Sequence, residues 1–272
     1  MKLGYLGRAL LAGLSAWSTS AVAQETKGTV ERLYVIECGQ GHTTDVSRWS
    51  PGVNQGKPMD WVSNCYLIKH AQGHLMWEMG VGDEIAALPE GRGTFNRWRL
   101  KRTLASQLED IGVKPSDIKY VAASHTHSDH IGNVELFPNA LLLVQKAEYE
   151  WPSPLGVARF KPEHPVRKLA GDLDVFGDGS VTLLSTPGHT PGHQSILVKL
   201  AKSGTIMISG DAAHFKDNWD QRRVPSFNVD KDKTLASMER IAGLLVQHQA
   251  QLWIHHDKPQ SDAQKKSPAY YD

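Results

Sequence analysis

The sequence predicts an α/β fold of four layers, an αββα sandwich in which two sheets pack together and helices cover their outer faces. Strand-like runs rich in β-branched and aromatic residues outnumber helical runs. Several strand-like runs end close to a histidine, and no linker divides the chain. With 272 residues, 40% of them hydrophobic, the chain is long enough to bury a large core. We therefore expect one folded domain over residues 24–272.

The first 23 residues have the three-part layout of a secretory signal peptide. Lys2 and Arg8 supply positive charge, residues 9–16 form a short apolar run, and Ala21-Val22-Ala23 provides a small-residue cleavage signal. The apolar run is too short to span a bilayer. We expect residues 1–23 to be removed, leaving an exported protein, periplasmic or secreted, without a membrane span.

The predicted elements of the mature part alternate between strands and helices. Strands are predicted at 30–37, 64–69, 75–78, 118–124, 140–144, 181–185, 195–200, 205–209 and 251–254. Helices are predicted at 100–111, 147–151 and 235–247. The stretches 39–61 and 80–96 are rich in Gly, Pro and Trp. Because loops of this length in a compact domain are usually functional, both are predicted to be functional loops.

Charge and cysteine content narrow the kind of site to expect. The formal net charge is +1 and charges of both signs are mixed along the chain, so nucleic acid is not an expected partner. Cys38 and Cys65 have no neighbour at metal-ligand spacing. An exported protein can hold a disulfide, but the sequence leaves open whether these two cysteines are bonded or free.

The densest group of chemically active side chains follows the strand predicted at 118–124. It is the segment His125-Thr126-His127-Ser128-Asp129-His130. The first two histidines of this segment can converge on one ion, and Asp129 and His130 can address a second ion beside it. Neutral imidazole and carboxylate are ligands that zinc accepts. Further candidate ligands lie just beyond other predicted strands: His189, Asp211 and His256.

These motifs, HTHSDH at 125–130, TPGHTPGH at 186–193, SGD at 209–211 and HHD at 255–257, resemble those of the metallo-β-lactamase superfamily. The resemblance covers roughly residues 33–272 and implies the four-layer fold of that superfamily. It implies two divalent ions, above all Zn²⁺, with a bridging hydroxide that attacks a carbonyl group. It also implies a ligand set: His125, His127 and His189 on one ion, Asp129, His130 and His256 on the other, and Asp211 between them. Asp129 would in addition orient the hydroxide.

Within the superfamily the chain is most similar to the N-acyl-homoserine lactonases, which are quorum-quenching enzymes. The similarity rests on residues 186–198, residues 145–149 and the short tail after His256. It implies a small lactone substrate, and a homodimer is a possible assembly. It also implies that the two loops shape an acyl-chain pocket, for which the aromatic candidates are Trp49, Trp61, Phe95 and Trp98.

The chain departs from that family at two positions. His214 stands where those lactonases commonly have a tyrosine that contacts the substrate carbonyl, and an imidazole can also donate to an oxyanion, so a catalytic role is expected. Glu78 stands where an aspartate is usual. His193 is expected to be structural, His255 is given no role, and the tail at Tyr270 and Tyr271 is expected to fray.

Four other functions share parts of this pattern. A class B β-lactamase would also be exported, but those enzymes tend to have Cys or Ser near Asp211. A glyoxalase II would carry a longer region after the last ligand than the 16 residues that follow His256. A phosphodiesterase or nuclease would need a basic groove or an added domain. A non-catalytic receptor would not need the complete ligand set.

Overall fold

In the computed structural model, the described residues are 29–152 and 159–272, together with Met1. The predicted signal peptide, apart from Met1, lies outside them. The strands are β1 Val30–Thr43, β2 Met59–His70, β3 His74–Trp77, β4 Asn96–Arg99, β5 Ile118–Ala122, β6 Leu141–Gln145, β7 Val166–Leu169, β8 Leu173–Asp174, β9 Val181–Ser185, β10 Gln194–Leu200, β11 Gly204–Ile208 and β12 Gln251–Trp253. The α-helices are α1 Leu104–Glu109, α2 Ser128–Ile131, α3 Lys146–Tyr149, α4 Lys216–Asp220, α5 Lys231–His248 and α6 Lys258–Asp262. Short 3-10 helices cover Val46–Arg48, Asp83–Ala87, Pro115–Asp117, Val134–Leu136 and Gly210–Ala212.

The strands form two halves that meet at one point. The main strand order is β12-β11-β10-β1-β2-β3-β5-β6-β7, with β9 beside β10, β8 beside β9 and β4 beside β1. The two halves are joined where β1 pairs with β10 through a single register pair, Val30 with Leu200. Beyond that pair β1 runs antiparallel to β2 as far as Thr43, opposite Met59. Hydrogen bonding is therefore continuous, although the molecule is built as two sheets.

Three apolar clusters confirm the predicted four layers. The central cluster takes side chains from both halves, among them Val35 on β1 and Ile208 on β11. A second cluster covers the other face of the first half, where Ile36 on β1 packs with Leu104 on α1. A third covers the outer face of the second half, where Met207 packs with Ile241 on α5. Neighbouring residues such as Val35 and Ile36 enter different clusters because successive side chains on a strand point to opposite faces.

Helix α5 closes the outer face of the second half. Its N-terminus is capped by the Asp230 side chain, which accepts from the Lys233 N–H, and Gln249 ends it in the left-handed conformation with φ of 50°. The helix extends the predicted 235–247 by one turn at its start. No helix in the described part of the chain combines the length and apolar character that a membrane crossing needs.

The first predicted loop is shorter than expected because strands extend into it from both sides. Strand β1 continues to Thr43 and β2 begins at Met59, which leaves residues 44–58 as the first loop. The second stretch is a loop as predicted, with one 3-10 turn, and it leads into β4. The helix predicted at 100–111 covers only Leu104–Glu109, because Thr103 caps its start.

The structure shows the state of the two cysteines and the position of the C-terminal tail. Cys38 and Cys65, on neighbouring strands, form a disulfide and are fully buried. The expected fraying of the tail is wrong, because Tyr271 exchanges two backbone hydrogen bonds with Leu33 at 2.8 and 2.9 Å. The carbonyl oxygen of Asp272 accepts the backbone N–H groups of residues 202 and 203.

Candidate metal centre

The candidate ligands lie on loops that leave the ends of four strands. The segment 125–130 follows β5, His189 follows β9, Asp211 follows β11, and His256 follows β12. Strands β11 and β12 are parallel, so their carboxyl ends and the loops that follow lie together. The structure brings all of the ligands predicted from the sequence to this one place, in two groups.

The first group consists of His125, His127, His189 and Asp211, whose potential ligand atoms all lie within 4.8 Å of one another. His125 Nε2 is 2.7 Å from His127 Nδ1, and His189 Nε2 is 3.2 Å from both. Asp211 Oδ2 lies 3.3 Å from His189 Nε2 and 3.6 Å from His125 Nε2. Three imidazoles and one carboxylate thus face a common centre.

The second group surrounds the other oxygen of Asp211. Asp211 Oδ1 is 3.5 Å from His130 Nε2 and 3.1 Å from His256 Nε2. Asp129 Oδ2 is 3.7 Å from His130 Nε2 and 3.6 Å from His256 Nε2. Asp211 therefore offers one oxygen to each group, which is the arrangement expected of a bridging carboxylate.

The donor atoms suit a divalent cation. His130 Nε2, His256 Nε2 and Asp211 Oδ1 are buried and have no hydrogen-bond partner among the described residues. Burying such polar atoms without a partner is costly, and a metal ion is one partner that removes the cost. Burial lowers the pKa of His125 and of His189 well below the usual value, so both rings are neutral, the form that binds metal.

Electrostatics in the second group also favour a cation. Burial acts to lower the pKa of His130, but the carboxylates of Asp211, Glu78 and Asp129 outweigh it and raise that pKa well above the usual value. Burial acts to raise the pKa of Asp211, but the surrounding imidazoles, first that of His214, hold it well below the usual range. The Asp211 carboxylate is therefore charged and attracts positive charge to this point.

Outer contacts fix the orientation of the rings. His189 Nδ1 donates to Asn228 Oδ1 at 2.9 Å, and His256 Nδ1 donates to the Val62 carbonyl at 2.6 Å. His130 Nδ1 lies 3.1 Å from Glu78 Oε2, and the other Glu78 oxygen accepts the Ser124 N–H. Such contacts turn the remaining ring nitrogen toward the metal. Glu78 thus contacts both the candidate ligand His130 and the start of the segment that carries it, from a backbone with φ of 61°.

His193 has the structural role expected for it. Its Nδ1 donates to the carbonyl of Thr186 at 2.9 Å, and its Nε2 accepts the backbone N–H of Asp211 at 2.9 Å. Burial lowers the pKa of His193 to about 4, which keeps the ring neutral and able to accept. The side chain holds the backbone of the shared carboxylate rather than facing either group.

His214 lines the cavity above the shared carboxylate. Its Nε2 lies 3.0 Å from Asp211 Oδ2, and the residue is 2% exposed. Burial lowers the pKa of His214, so the ring is neutral and carries one proton. That proton can be shared with Asp211 or donated to a bound ligand, but one ring cannot do both at once.

His255 is a member of the cluster that sequence reasoning missed. It is fully buried, and one of its ring nitrogens lies within 4.8 Å of ligand atoms of His130 and His256. Neither of its ring nitrogens has a hydrogen-bond partner among the described residues. The sequence signal that could have identified His255 was its position just after β12, next to the candidate ligand His256.

A cavity of about 520 Å³ opens above the two groups. Its floor contains Asp129, Asp211 and His214, and its rim carries an ion pair between Glu84 and Arg92 at 2.6 Å. Its apolar walls are formed by Trp49, Trp61, Val81, Ile85, Trp98 and Phe227. Three of the four predicted aromatic candidates line it, whereas Phe95 packs in the cluster behind. The volume is that of a small-molecule site.

Comparison with known proteins gives consistent matches. The family model described as metallo-beta-lactamase superfamily matches residues 58–246, which include every candidate ligand except His256. The chain is 34% identical to N-acyl homoserine lactonase AttM of Azorhizobium caulinodans, over 89% of this chain and 98% of that protein. It is 30% identical to N-acyl homoserine lactonase AiiA of Bacillus thuringiensis subsp. kurstaki. That match covers 89% of this chain and 99% of that protein.

Solved structures agree with these matches. An N-acyl homoserine lactone hydrolase with N-hexanoyl-L-homoserine bound at its catalytic metal center superimposes with a TM-score of 0.78. That structure is 28% identical, and the match covers 89% of this chain and 99% of that chain. The dizinc quorum-quenching lactonase AidC, at 17% identity and a TM-score of 0.63, shares the fold.

Proposed function

Because this chain belongs to the metallo-beta-lactamase superfamily, we propose that it is a metal-dependent hydrolase that opens the lactone ring of N-acyl-homoserine lactones. The observation that carries the proposal is the pair of ligand groups sharing Asp211 at the floor of an aromatic cavity. The lactonase relatives match over nearly their whole length, which supports this substrate class above the other hydrolases of the superfamily. Destroying such lactones would make the protein quorum-quenching.

The proposed ligand set is supported by the short distances between the candidate side chains. One ion would be held by His125, His127 and His189, the other by Asp129, His130 and His256, with Asp211 shared. Zinc suits these nitrogen and oxygen donors best, although cobalt, manganese and iron also accept them. When bound, a pair of such ions polarises a carbonyl oxygen and lowers the pKa of a coordinated water toward about 7.

The residues of the chain would position the substrate and move its protons. The Asp129 side chain is 16% exposed and lines the cavity, and we assign it the role of orienting the attacking group there. The N–H of His214 would turn from Asp211 to the carbonyl oxygen of the substrate, where negative charge develops. The tryptophan walls would bury the acyl chain, at roughly 25 cal/mol for each Å² of apolar surface removed from water.

We also propose that the protein is exported after removal of residues 1–23. The charge and small-residue pattern of that segment supports export, and a disulfide between Cys38 and Cys65 suits an oxidising compartment. Mass spectrometry of the protein recovered from the periplasm or medium tests this. A mature chain beginning at Gln24 is expected, and an intact chain starting at Met1 would contradict it.

The deciding experiment is a substrate panel on the zinc-loaded mature protein. N-acyl-homoserine lactones, a cephalosporin reporter and a glutathione thioester are compared by kcat/KM, with ring opening followed by proton release. We expect the lactones to be preferred. Asp211→Ala should lose both turnover and zinc, whereas Asp232→Ala, an exposed aspartate on α5, should change neither.

Each alternative result is informative. Preference for the cephalosporin would make the protein a β-lactamase, and preference for the thioester would make it a glyoxalase II-like enzyme. Full zinc content and unchanged turnover in Asp211→Ala would refute the proposed metal centre. Zinc binding without turnover on any ester or lactone would favour a receptor.

A further inference from the structure

Glu148 is a fully buried carboxylate outside the proposed ligand set. It lies on α3, directly after β6, and its two oxygens accept three hydrogen bonds. Oε1 accepts the backbone N–H of Thr126 at 2.9 Å and its hydroxyl at 2.7 Å. Oε2 accepts the backbone N–H of Gly192 at 3.1 Å. No ion pair joins Glu148 to a lysine, arginine or histidine within the ranges 29–152 and 159–272.

These partners belong to two different ligand loops. Thr126 stands between His125 and His127, and Gly192 lies three residues after His189. The two loops are more than sixty positions apart in sequence. Even so, His189 Nε2 lies 3.2 Å from a ring nitrogen of each of His125 and His127. Glu148 therefore joins the backbones of the segments that must come together to form the first group.

Gly192 packs directly against Glu148, with no room for a side chain between them. A Cβ added at Gly192 would lie 2.2 Å from the backbone nitrogen of Glu148 and 2.5 Å from its Cβ. Only glycine allows the backbone at position 192 to approach the backbone of Glu148 this closely. The glycine and the buried glutamate thus form one contact.

We propose that Glu148 is a positioning residue for the first ion, because it fixes the loop of His125 and His127 against the loop of His189. This inference rests on the proposed two-metal site. A glutamine would keep the carbonyl acceptor for Thr126 but would place an N–H against the N–H of Gly192. An aspartate would keep the charge but is one methylene too short to reach both loops.

The test measures zinc affinity without any substrate. The metal-free full chain and its variants Glu148→Gln and Glu148→Asp are titrated with Zn²⁺ against a chromophoric chelator. Loss of an outer contact of this kind typically weakens metal affinity by about 10- to 100-fold. We expect that loss for one of the two ions in both variants. Glu150→Gln is the matched control, because Glu150 adjoins the same helix but is exposed and pairs with Lys146 and Lys168.

Thermal melting distinguishes a role of Glu148 in positioning the metal ligands from a role in the stability of the whole fold. We expect zinc to raise the melting temperature of both Glu148 variants by less than it raises that of the wild type and of Glu150→Gln. Wild-type zinc affinity in either Glu148 variant, with equal loss of melting temperature in the metal-free and zinc-loaded forms, would overturn the proposal. Two tight zinc ions in a wild type that opens no lactone would refute the proposed substrate and leave this inference standing.

Discussion

Asp211 shows how much of the site depends on the backbone around one residue. It follows Gly210, which has φ of 53° and sits where an added Cβ would lie 2.4 Å from the Ser124 side chain. On the other side, His193 Nε2 accepts the backbone N–H of Asp211. The carboxylate is thus fixed by a glycine turn and a neutral imidazole, so that each oxygen faces its own group.

His214 is the residue whose substitution best tests the chemistry. His214→Ala should lower kcat by about 10²- to 10³-fold, the usual cost of removing one donor to a developing oxyanion. Zinc content should be unchanged, because the ring lies outside both ligand groups. His214→Tyr restores the residue common in the lactonases and should retain most of the turnover. Zinc measured by elemental analysis is the control, and its loss in His214→Ala would instead make His214 a ligand.

At the scale of elements, β2 and β4 supply two rings of the cavity wall, and β1 lies between these two strands. Trp98 on β4 stacks on Trp61 of β2 with ring centroids 4.9 Å apart. Both rings lie over glycines of β1, since an added Cβ at Gly39 would be 3.2 Å from Trp98 and one at Gly41 would be 1.8 Å from Trp61. Small residues on one strand thus make room for two large rings on its neighbours.

Removing one of these rings should change chain-length preference. Trp98→Ala should raise KM for a dodecanoyl lactone roughly 10-fold, because a loss of about 1.4 kcal/mol of apolar contact corresponds to that factor. KM for a butanoyl lactone should change little, since a short chain extends less far from the metal centre. Trp219→Ala, on α4 in the cluster beneath α5, is the matched control. Equal effects on both substrates would rule out contact between Trp98 and the acyl chain.

The elements also show where sequence reasoning succeeds. The central strands and the candidate ligands at their ends were predictable, because apolar periodicity and residue type are local signals. Strand β4, Asn96–Arg99, was not, because its alternating polar residues become a strand only by pairing with β1. The disulfide, the docked tail and the burial of His255 likewise depend on neighbours that are distant in sequence.

At the scale of the whole molecule, the C-terminal segment ties the two halves together. Lys266 is half-buried, and its amine donates to Ser261 Oγ at 2.6 Å and to Asn64 Oδ1 at 3.3 Å. Beyond it Ser267 donates to the Val35 carbonyl, and Tyr271 pairs with Leu33. The tail therefore lies along β1, near the point where the halves separate.

Lys266 should make stability depend on pH in a defined window. Burial lowers the pKa of Lys266 from 10.5 to about 8, so between these values the unfolded chain binds more protons. Stability from this group should be fully present above pH 10.5 and should decline as pH falls to about 8. The free energy of unfolding of the wild type, relative to Lys266→Met, should thus rise by on the order of 2 kcal/mol from pH 8 to 10.5. Urea denaturation of the wild type and of Lys266→Met across this pH range measures the difference in the free energy of unfolding. Lys265→Met is the control, because Lys265 is exposed. Parallel pH curves for the wild type and Lys266→Met would contradict the prediction.

The buried disulfide has a practical consequence for preparing the protein. Cys38 packs against Gly80, whose carbonyl accepts the Gly132 N–H, and neighbouring Met79 donates to the carbonyl of His130. The disulfide therefore lies within a few contacts of the candidate metal centre. Dithiothreitol would reduce the disulfide and would also chelate zinc, the metal proposed for that centre. Expression in an oxidising compartment and thiol-free buffers are the conditions under which purified samples should keep both features.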